Sequence, residues 1–190
     1  MRFAALCVLR IVTALVFLLA GAMPDRAASA DASPAEYQVK AAFLCKFGNY
    51  VEWPVQPGAS PETPFGIGVL ASDVVFDELT RAAAGQTVNG RRIAVRRLAR
   101  GEPVDGLSIV FVARSQANLL AETLAATKGQ PILTVTESDQ GTTIGSMVNF
   151  VIVADKVKFD IALPLAEQSS LKISARLLAV ARSVAGGKSS

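Results

Sequence analysis

The sequence predicts an α/β fold: a mainly parallel, helix-flanked sheet with a C-terminal antiparallel hairpin and a closing helix. Three continuous apolar runs, Phe65 to Leu70, Leu107 to Ala113 and Ile132 to Val135, are typical of buried strands. Segments with helical periodicity separate these runs, and such alternation is the pattern of a parallel sheet covered by helices. Near the C-terminus two strands flank a tight turn, which indicates the hairpin.

Residues 1–30 have the pattern of a cleavable secretory signal peptide. Arg2 and Arg10 lie around an apolar run, and Ala28-Ser29-Ala30 supplies small residues for a signal peptidase. The alternative is a retained membrane anchor, but the uninterrupted apolar stretch, Ile11 to Met23, is shorter than the roughly 20 residues that a spanning helix needs. We therefore predict an exported protein with one domain over 31–185 and a disordered tail over 186–190.

Composition narrows the chemistry available to the mature chain. The sequence contains no histidine, which removes Ser-His and Cys-His dyads and the commonest metal ligand. Cys45 is the one cysteine beyond residue 30, so an internal disulfide is excluded. Loss of Arg2, Arg10 and Arg26 with the leader leaves a nearly neutral chain, which does not indicate nucleic-acid binding. We predict no catalytic residue, metal or cofactor.

The first helix begins at Ser33-Pro34-Ala35-Glu36, where Ser33 caps, Pro34 fits the first helical position and Glu36 completes a capping box. A wide apolar face predicts that this helix is mostly buried. Its members are Tyr37, Ala41, Phe43, Leu44, Cys45, Phe47 and Tyr50. The helix ends between Gly48 and Pro54, and the prolines of Val55 to Pro64 indicate a loop.

The middle of the chain alternates strands with helices. After the strand Phe65 to Leu70, we predict a helix over Phe76 to Ala84, a turn at Val88 to Arg91 and a strand over Ile93 to Leu98. After the strand Leu107 to Ala113, Ser115 caps a helix that runs to about Thr127. The strand Ile132 to Val135 completes this part.

The C-terminal part supplies the hairpin and the closing helix. Strands over Gly145 to Val153 and Val157 to Leu163 flank a turn near Ala154-Asp155. Apolar and polar residues alternate in the second strand, so we expect it to be half exposed. A last helix is predicted from about Ser174 to Val184.

Four features are weighed as candidate sites. Five arginines, Arg91, Arg92, Arg96, Arg97 and Arg100, either contact an acidic partner or anionic lipid, or form a solvated edge strand that charge protects from aggregation. Trp53 either anchors a partner or closes the core over the helix end. Cys45, on the helix, is expected to be buried and inert. The strand end Thr134 to Glu137, followed by Asp139 and Gly141, is a weak signal for a ligand at the carboxyl edge of the sheet.

The mature chain resembles the YfiR-like family of bacterial periplasmic regulators from about Glu36 to Val184. The resemblance rests on three blocks found in order. They are Glu36 to Leu44 with Val51-Glu52-Trp53-Pro54; Ile67 to Leu70 with Gly85, Val88, Gly90 and Arg91; and Leu133 to Val135 with Gly141, Asn149-Phe150, Lys158 to Ile161 and Leu171 to Ser174. The helix that ends in Val-Glu-Trp-Pro is the most specific piece.

This resemblance implies an α/β fold and a regulatory role without enzymatic activity. Family members bind the periplasmic sensory portion of an inner-membrane diguanylate cyclase and repress cyclic-di-GMP synthesis. An outer-membrane lipoprotein sequesters them, relatives form dimers, and related domains occur beside sensor kinases. Relatives often carry disulfide-forming cysteine pairs, which this chain lacks.

The sequence thus predicts a periplasmic binding protein that controls a signalling enzyme in the membrane. The candidate contact residues are Glu52, Trp53, Arg91 and Arg92, because they are polar or amphipathic and lie in segments expected to be exposed. One alternative is a periplasmic sensor module that binds a small ligand. A second is a hydrolase, which is disfavoured because no G-x-S-x-G motif is present.

Overall fold

An eight-stranded, mainly parallel sheet forms the centre of the computed structural model, which describes residues 33–54 and 62–186. The strands are β1 (Val51–Glu52), β2 (Phe65–Leu70), β3 (Thr87–Val88), β4 (Arg91–Arg97), β5 (Leu107–Val112), β6 (Leu133–Thr136), β7 (Val148–Val153), β8 (Lys156–Ala162), β9 (Lys172–Ile173) and β10 (Ser183–Ala185). The main sheet has the order β10-β8-β7-β6-β5-β2-β4-β3.

The strands β4, β2, β5, β6 and β7 run parallel to one another in this order. The hairpin partner β8 is antiparallel to β7, β10 is parallel to β8, and β3 is antiparallel to β4. The predicted mainly parallel sheet with a C-terminal antiparallel hairpin is therefore confirmed. A separate two-stranded sheet pairs β1 with β9, which no pattern in the sequence indicates.

Helices cover both faces of the sheet. They are α1 (Pro34–Phe47), α2 (Asp73–Ala83), α3 (Leu120–Thr127), α4 (Leu163–Gln168) and α5 (Ala175–Val180), with 3-10 turns at Arg114–Leu119 and Gly141–Ile144. The larger apolar core joins α1 and α2 to one face of the sheet, where Ile67, Ile109 and Val135 are fully buried. A smaller core joins Leu119 and Leu120 to the other face. Alternate residues of the buried strands supply the two cores, which explains their continuous apolar sequences.

Local signals account for the start of α1 and for both tight turns. The Ser33 hydroxyl oxygen accepts a hydrogen bond from the Glu36 N–H at 3.2 Å, and Pro34 occupies the first helical turn, as predicted. Asn89 and Gly90, between β3 and β4, have φ values of 50° and 80°. Ala154 and Asp155, between β7 and β8, have φ values of 48° and 58°. Positive φ at both central residues matches the right-handed twist of a two-residue hairpin.

The predicted last helix, Ser174 to Val184, is wrong in its second half. Ser174 caps α5, but the helix ends at Val180 and Ala181 is extended, with φ −66° and ψ 148°. The chain then forms β10 beside β8, where Arg182 and Ser183 bind the carboxylate of Asp160. Tertiary pairing therefore overrides the helical pattern. The helix predicted from Ser115 is likewise a 3-10 turn up to Leu119 and an α-helix only from Leu120.

Several predictions fall wholly or partly on residues that the structure does not describe. The predicted signal peptide, 1–30, lies outside the described residues, as do 55–61 of the predicted loop and 187–190 of the predicted tail. Among the described residues, no helix combines the length and the apolar character needed to cross a membrane.

Candidate functional site

Trp53 lies at the amino-terminal edge of the parallel sheet, where β2 and β5 begin. Its ring packs edge to face on Phe65, with the centroids 5.1 Å apart, and its indole N–H donates to the Ser108 carbonyl oxygen at 3.3 Å. Part of the ring stays accessible, since Trp53 is half-buried. Trp53 therefore packs against the core, as one of its two interpretations expects. Its role as an anchor for a partner stays a prediction.

A depression of about 640 Å³ lies beside Trp53. Glu52 and Lys172, on opposite strands of the small sheet, are direct cross-strand partners at its rim. Leu171 and Pro54 also contribute to the lining, together with Glu167 and Ser170. The depression therefore combines apolar walls with charges of both signs, which suits an amphipathic ligand or a protein side chain.

Arg91 also contacts Phe65, from the side of β4. Its guanidinium lies 5.8 Å from the centroid of the Phe65 ring and donates to the carbonyl oxygens of Thr63 and Pro64, each at 2.7 Å. Arg91 therefore fixes the backbone that leads into β2. Through Phe65 the structure brings Trp53 and Arg91 together, and we call Glu52, Trp53, Arg91 and Lys172 the amino-edge surface.

Arg92, the fourth predicted contact residue, does not belong to this surface. Successive side chains of a strand point to opposite faces of the sheet, so Arg92 faces away from Arg91. Its side chain is exposed at the outer margin of the sheet, near β3. The predicted set is therefore divided between the amino edge and the outer edge of β4.

A buried polar cluster lies at the opposite, carboxyl-terminal edge of the sheet. Glu137, just after β6, and Lys40 of α1 are each only 2% exposed and form an ion pair. Lys40 also pairs with Glu36, four residues earlier on the same helix. The Tyr37 hydroxyl and the Arg114 backbone N–H donate to the Glu137 Oε1 at 3.1 and 2.8 Å.

The contacts of Glu137 indicate a structural role. One oxygen accepts from Tyr37 and Arg114 and the other accepts from Lys40, so protein donors already occupy both oxygens of the carboxylate. The cluster thereby attaches the first turns of α1 to the ends of β5 and β6. The sequence marked Glu137 as the end of a strand, but no local signal marked Lys40 as its partner, 97 residues away.

A second buried cluster fixes the loop that follows β6. The Asn149 side-chain oxygen accepts from the Thr136 hydroxyl at 2.7 Å and from the Ser138 N–H at 2.8 Å. The Asn149 amide in turn donates to the Ser138 carbonyl at 3.1 Å. These three hydrogen bonds hold the loop against β7.

Cys45 is buried on the core-facing side of α1, as expected from the sequence. Burial raises the pKa of its thiol to about 11, so it remains protonated at neutral pH. Because the thiolate is the nucleophilic form, this cysteine is unreactive. Within the described ranges, no group of three or more cysteine and carboxylate side chains is placed to hold a metal ion.

Comparison with solved structures shows the fold. The ABC domain from Streptococcus pneumonia in complex with L-Trp superposes with a TM-score of 0.51 at 13% sequence identity. The alignment covers 78% of this chain and 60% of that structure, so this chain spans about 60% of its length. At this identity the likeness establishes an α/β fold alone. Among curated proteins, no significant match exists.

The family profile matches most of the described chain. The YfiR/HmsC-like profile (DUF4154) aligns with residues 37–182. This range contains α1 from Tyr37 onward, the main sheet up to β8, the Lys40–Glu137 pair and Trp53. The chain therefore belongs to the YfiR/HmsC-like family, which is known for periplasmic, non-enzymatic regulators of diguanylate cyclases.

Proposed function

We propose that this chain binds the periplasmic portion of an inner-membrane diguanylate cyclase, or of a related sensor such as a sensor kinase, and represses its output. The family match over residues 37–182 carries this proposal. The amino-edge surface is the contact site that we propose for the partner. In the same scheme, an outer-membrane lipoprotein competes for the chain and releases the cyclase, and the chain acts as a homodimer.

The chemistry of the amino-edge surface supports a role in protein binding. Interfaces are enriched in aromatic residues and arginine and carry a polar rim. Trp53 supplies a rigid, half-buried ring, and Arg91 lies on the far side of Phe65. Glu52 and Lys172 supply exposed charges around the depression. A partner side chain that enters this depression would gain apolar contact with Trp53 and ionic contact at the rim.

A double variant that exchanges the charges of two cross-strand residues is designed to change partner binding without changing the stability of the fold. Glu52→Lys and Lys172→Glu together keep an opposite-charge cross-strand pair but invert both charges at the rim. We expect the double variant to fold normally and to recover much less of the cyclase periplasmic domain in a pull-down. Lys46→Glu, on an exposed position of α1, is the matched control and retains binding.

Measurement of cyclic-di-GMP tests the regulatory part of the proposal. Deletion of the gene raises cyclic-di-GMP and biofilm, and the wild-type chain expressed in trans reverses both effects. The charge-exchanged variant fails to reverse them. Unchanged cyclic-di-GMP after deletion contradicts repression by this chain, whereas normal binding by the charge-exchanged variant contradicts only the proposed contact site.

The second candidate function is a small-ligand sensor, which the depression beside Trp53 specifically favours. Its apolar walls and the charges of Glu52, Glu167 and Lys172 suit a zwitterionic molecule. A thermal-shift screen of amino acids tests this function, with L-Trp included because the similar ABC domain was solved with it. A rise in Tm that Trp53→Ala abolishes supports the sensor function, and an unchanged Tm across the panel contradicts it.

A further inference from the structure

The outer side of β4 is largely uncovered in the described part of the chain. Strand β3 pairs only with Arg91 and Arg92, and the sheet ends there. The Ile93 N–H donates towards β3, to the Gln86 carbonyl oxygen, whereas the Leu98 N–H donates inwards, to Val69. Because backbone groups alternate in direction along a strand, the N–H groups of Val95 and Arg97 point to the uncovered side. We call the outer side of Ala94 to Arg97 the β4 edge.

The β4 edge has different chemistry on its two faces. On the face that α2 covers, Ile93 and Val95 are half-buried against the core and line a groove of about 600 Å³. The C-terminal end of α2 forms the other wall, with Thr80 and Ala83, and Arg92 contributes to the rim near β3. This groove is open along the edge, so it can receive apolar side chains from a strand laid beside β4.

The opposite face of the same edge is basic. Arg92 and Arg96 are exposed on this face, with Ala94 between them. Among the described residues, Arg97 pairs with Asp73 and Arg100 with Glu122, but neither Arg92 nor Arg96 forms an ion pair. The Arg96 guanidinium donates to the Pro103 carbonyl oxygen, but no carboxylate of the described chain neutralises its charge or that of Arg92.

These observations favour one kind of ligand for the β4 edge. We propose that the β4 edge binds an acidic, extended segment of a partner protein as an added strand. In that segment, apolar residues alternate with Asp or Glu. The backbone pairs with Val95 and Arg97, the apolar side chains enter the α2 groove, and the carboxylates meet Arg92 and Arg96. The β4 edge, Ala94 to Arg97, accommodates about four residues of strand, roughly 13 Å.

The positive charge of Arg92 and Arg96 favours an acidic segment over a second copy of this chain as the ligand of the β4 edge. Two β4 edges in contact would bring Arg92 and Arg96 of both copies together, and like charges directly opposite each other destabilise strand pairs. The same arginines that prevent self-association attract an acidic strand. The inference goes beyond the proposed regulation, because it holds whichever protein carries the acidic segment.

Peptide binding tests the inference directly. The probe is a short fluorescein-labelled peptide in which glutamate and valine alternate, and fluorescence anisotropy measures its Kd for the full mature chain. We expect saturable binding that weakens with salt. A peptide with lysine in place of glutamate, and one with a central proline that cannot join the ladder, each bind about tenfold or more weakly.

Matched protein variants locate the site. Arg92→Glu with Arg96→Glu is expected to weaken binding of the acidic peptide about tenfold or more, and to reverse the preference in favour of the lysine peptide. Arg176→Glu and Arg176→Gln, at an exposed position of α5, alter charge elsewhere and change the Kd less than about twofold. Val95→Pro removes an outward N–H without removing an inward one, so it blocks pairing at an edge position that tolerates proline.

Hydrogen exchange provides a readout independent of affinity. Bound peptide slows exchange of the Val95 and Arg97 amides in the wild-type chain, and this protection is absent with the proline peptide.

The inference is overturned if the arginine variants bind the acidic peptide as tightly as the wild type, or if neither amide becomes protected. It is also overturned if the chain binds phosphatidylglycerol vesicles through Arg92 and Arg96 but not the peptide, or if the wild-type chain dimerises through β4. If Val95→Pro does not fold, the charge variants and the two control peptides still decide the outcome.

Discussion

Lys40 shows how one charged side chain can be retained inside an apolar core. It lies on the buried side of α1, where a lysine is normally excluded unless its charge is compensated. Glu36 and Glu137 provide two carboxylates, and Tyr37 and Arg114 complete the hydrogen bonding of Glu137. The net contribution of such a pair is small while it is intact, but loss of one partner leaves an uncompensated buried charge.

Replacement of Lys40 by methionine should therefore destabilise the protein strongly. We expect Lys40→Met to lower the free energy of unfolding by about 3–5 kcal/mol in urea titrations. Addition of Glu137→Gln should recover much of this loss, because a neutral amide no longer needs the ammonium group. Lys46→Met, on the exposed side of the same helix, should change stability by less than about 0.5 kcal/mol. Equal effects at positions 40 and 46 would contradict the compensated-charge explanation.

At the scale of elements, the two tight hairpins use the same backbone geometry with different residues. The β3–β4 turn has Asn89-Gly90, the preferred pair for positive φ at both positions, whereas the β7–β8 turn has Ala154-Asp155. Alanine in the left-handed region costs about 1 kcal/mol, because its Cβ approaches the following carbonyl oxygen. The β7–β8 register and the packing of Phe150 and Phe159 against α1 must therefore impose that turn.

A turn exchange tests this difference between the hairpins. Ala154→Asn with Asp155→Gly should raise the free energy of unfolding by about 1 kcal/mol, because both residues then favour the observed φ. In the other hairpin, Gly90→Ala should lower it by a similar amount, about 1 kcal/mol. Thermal or urea unfolding measures both changes. A destabilised Asn-Gly variant would show that the Ala154 and Asp155 side chains make contributions beyond backbone conformation.

The strand β10 depends on an ion pair with β8. The Asp160 carboxylate accepts hydrogen bonds from the Arg182 guanidinium and, at 2.7 Å, from the Ser183 hydroxyl. Burial by itself would raise the pKa of Asp160, but the hydrogen bonds and charge of Arg182, with the help of Ser183, outweigh burial and hold the pKa below its usual value. The carboxylate is therefore ionised in the folded protein at neutral pH.

The pH dependence of stability should reveal this pair. A carboxyl whose folded pKa is lowered stabilises the protein above its unfolded pKa, about 3.9, and this stabilisation is lost as the pH falls through the folded value. We expect Arg182→Met to lower the free energy of unfolding at pH 7, and the difference from wild type to narrow below about pH 4. Arg176→Met, the control, should match the wild type throughout. A gap that persists unchanged into acid would rule out an ionic origin.

At the scale of the whole molecule, the buried strands of the sheet could be predicted from the sequence, but the pairing of segments that lie far apart in the chain could not. The strands β2, β5 and β6 were predictable because strands buried on both faces have continuous apolar sequences. The pairing of β1 with β9 was not, because two residues carry too little pattern. The strand β10 looked helical until its contacts with Asp160 were known.

In the candidate site, too, local sequence identified single residues but not their contacts with distant ones. Trp53 could be identified from the sequence because a tryptophan in a loop is conspicuous, but its hydrogen bond to Ser108 joins residues 55 positions apart. Arg91 and Arg92 were predicted as one group, yet strand alternation sends them to different faces. Lys40 gave no sign of burial, because its compensating Glu137 lies far along the chain. Contacts between distant residues, rather than local propensities, set these positions.

Trp53 provides a probe of cooperativity across the whole described fold. Its ring touches Phe65 of β2 and its indole binds β5, so it is coupled to the centre of the sheet. We expect Trp53 fluorescence and far-ultraviolet circular dichroism to give coincident urea unfolding midpoints, as in a two-state transition. An earlier midpoint by fluorescence would mean that the segment after α1 detaches before the sheet unfolds, and would contradict this coupling.

The buried thiol of Cys45 has a practical consequence for site-specific labelling of the protein surface. With a pKa of about 11 and little access to solvent, Cys45 does not react readily with maleimides and other thiol reagents in the folded protein. A cysteine introduced at an exposed position such as Ala94 would then be the preferred site for a fluorophore or a spin label, without removal of the native residue. Labels placed in this way would report binding of the acidic peptide at the β4 edge in solution.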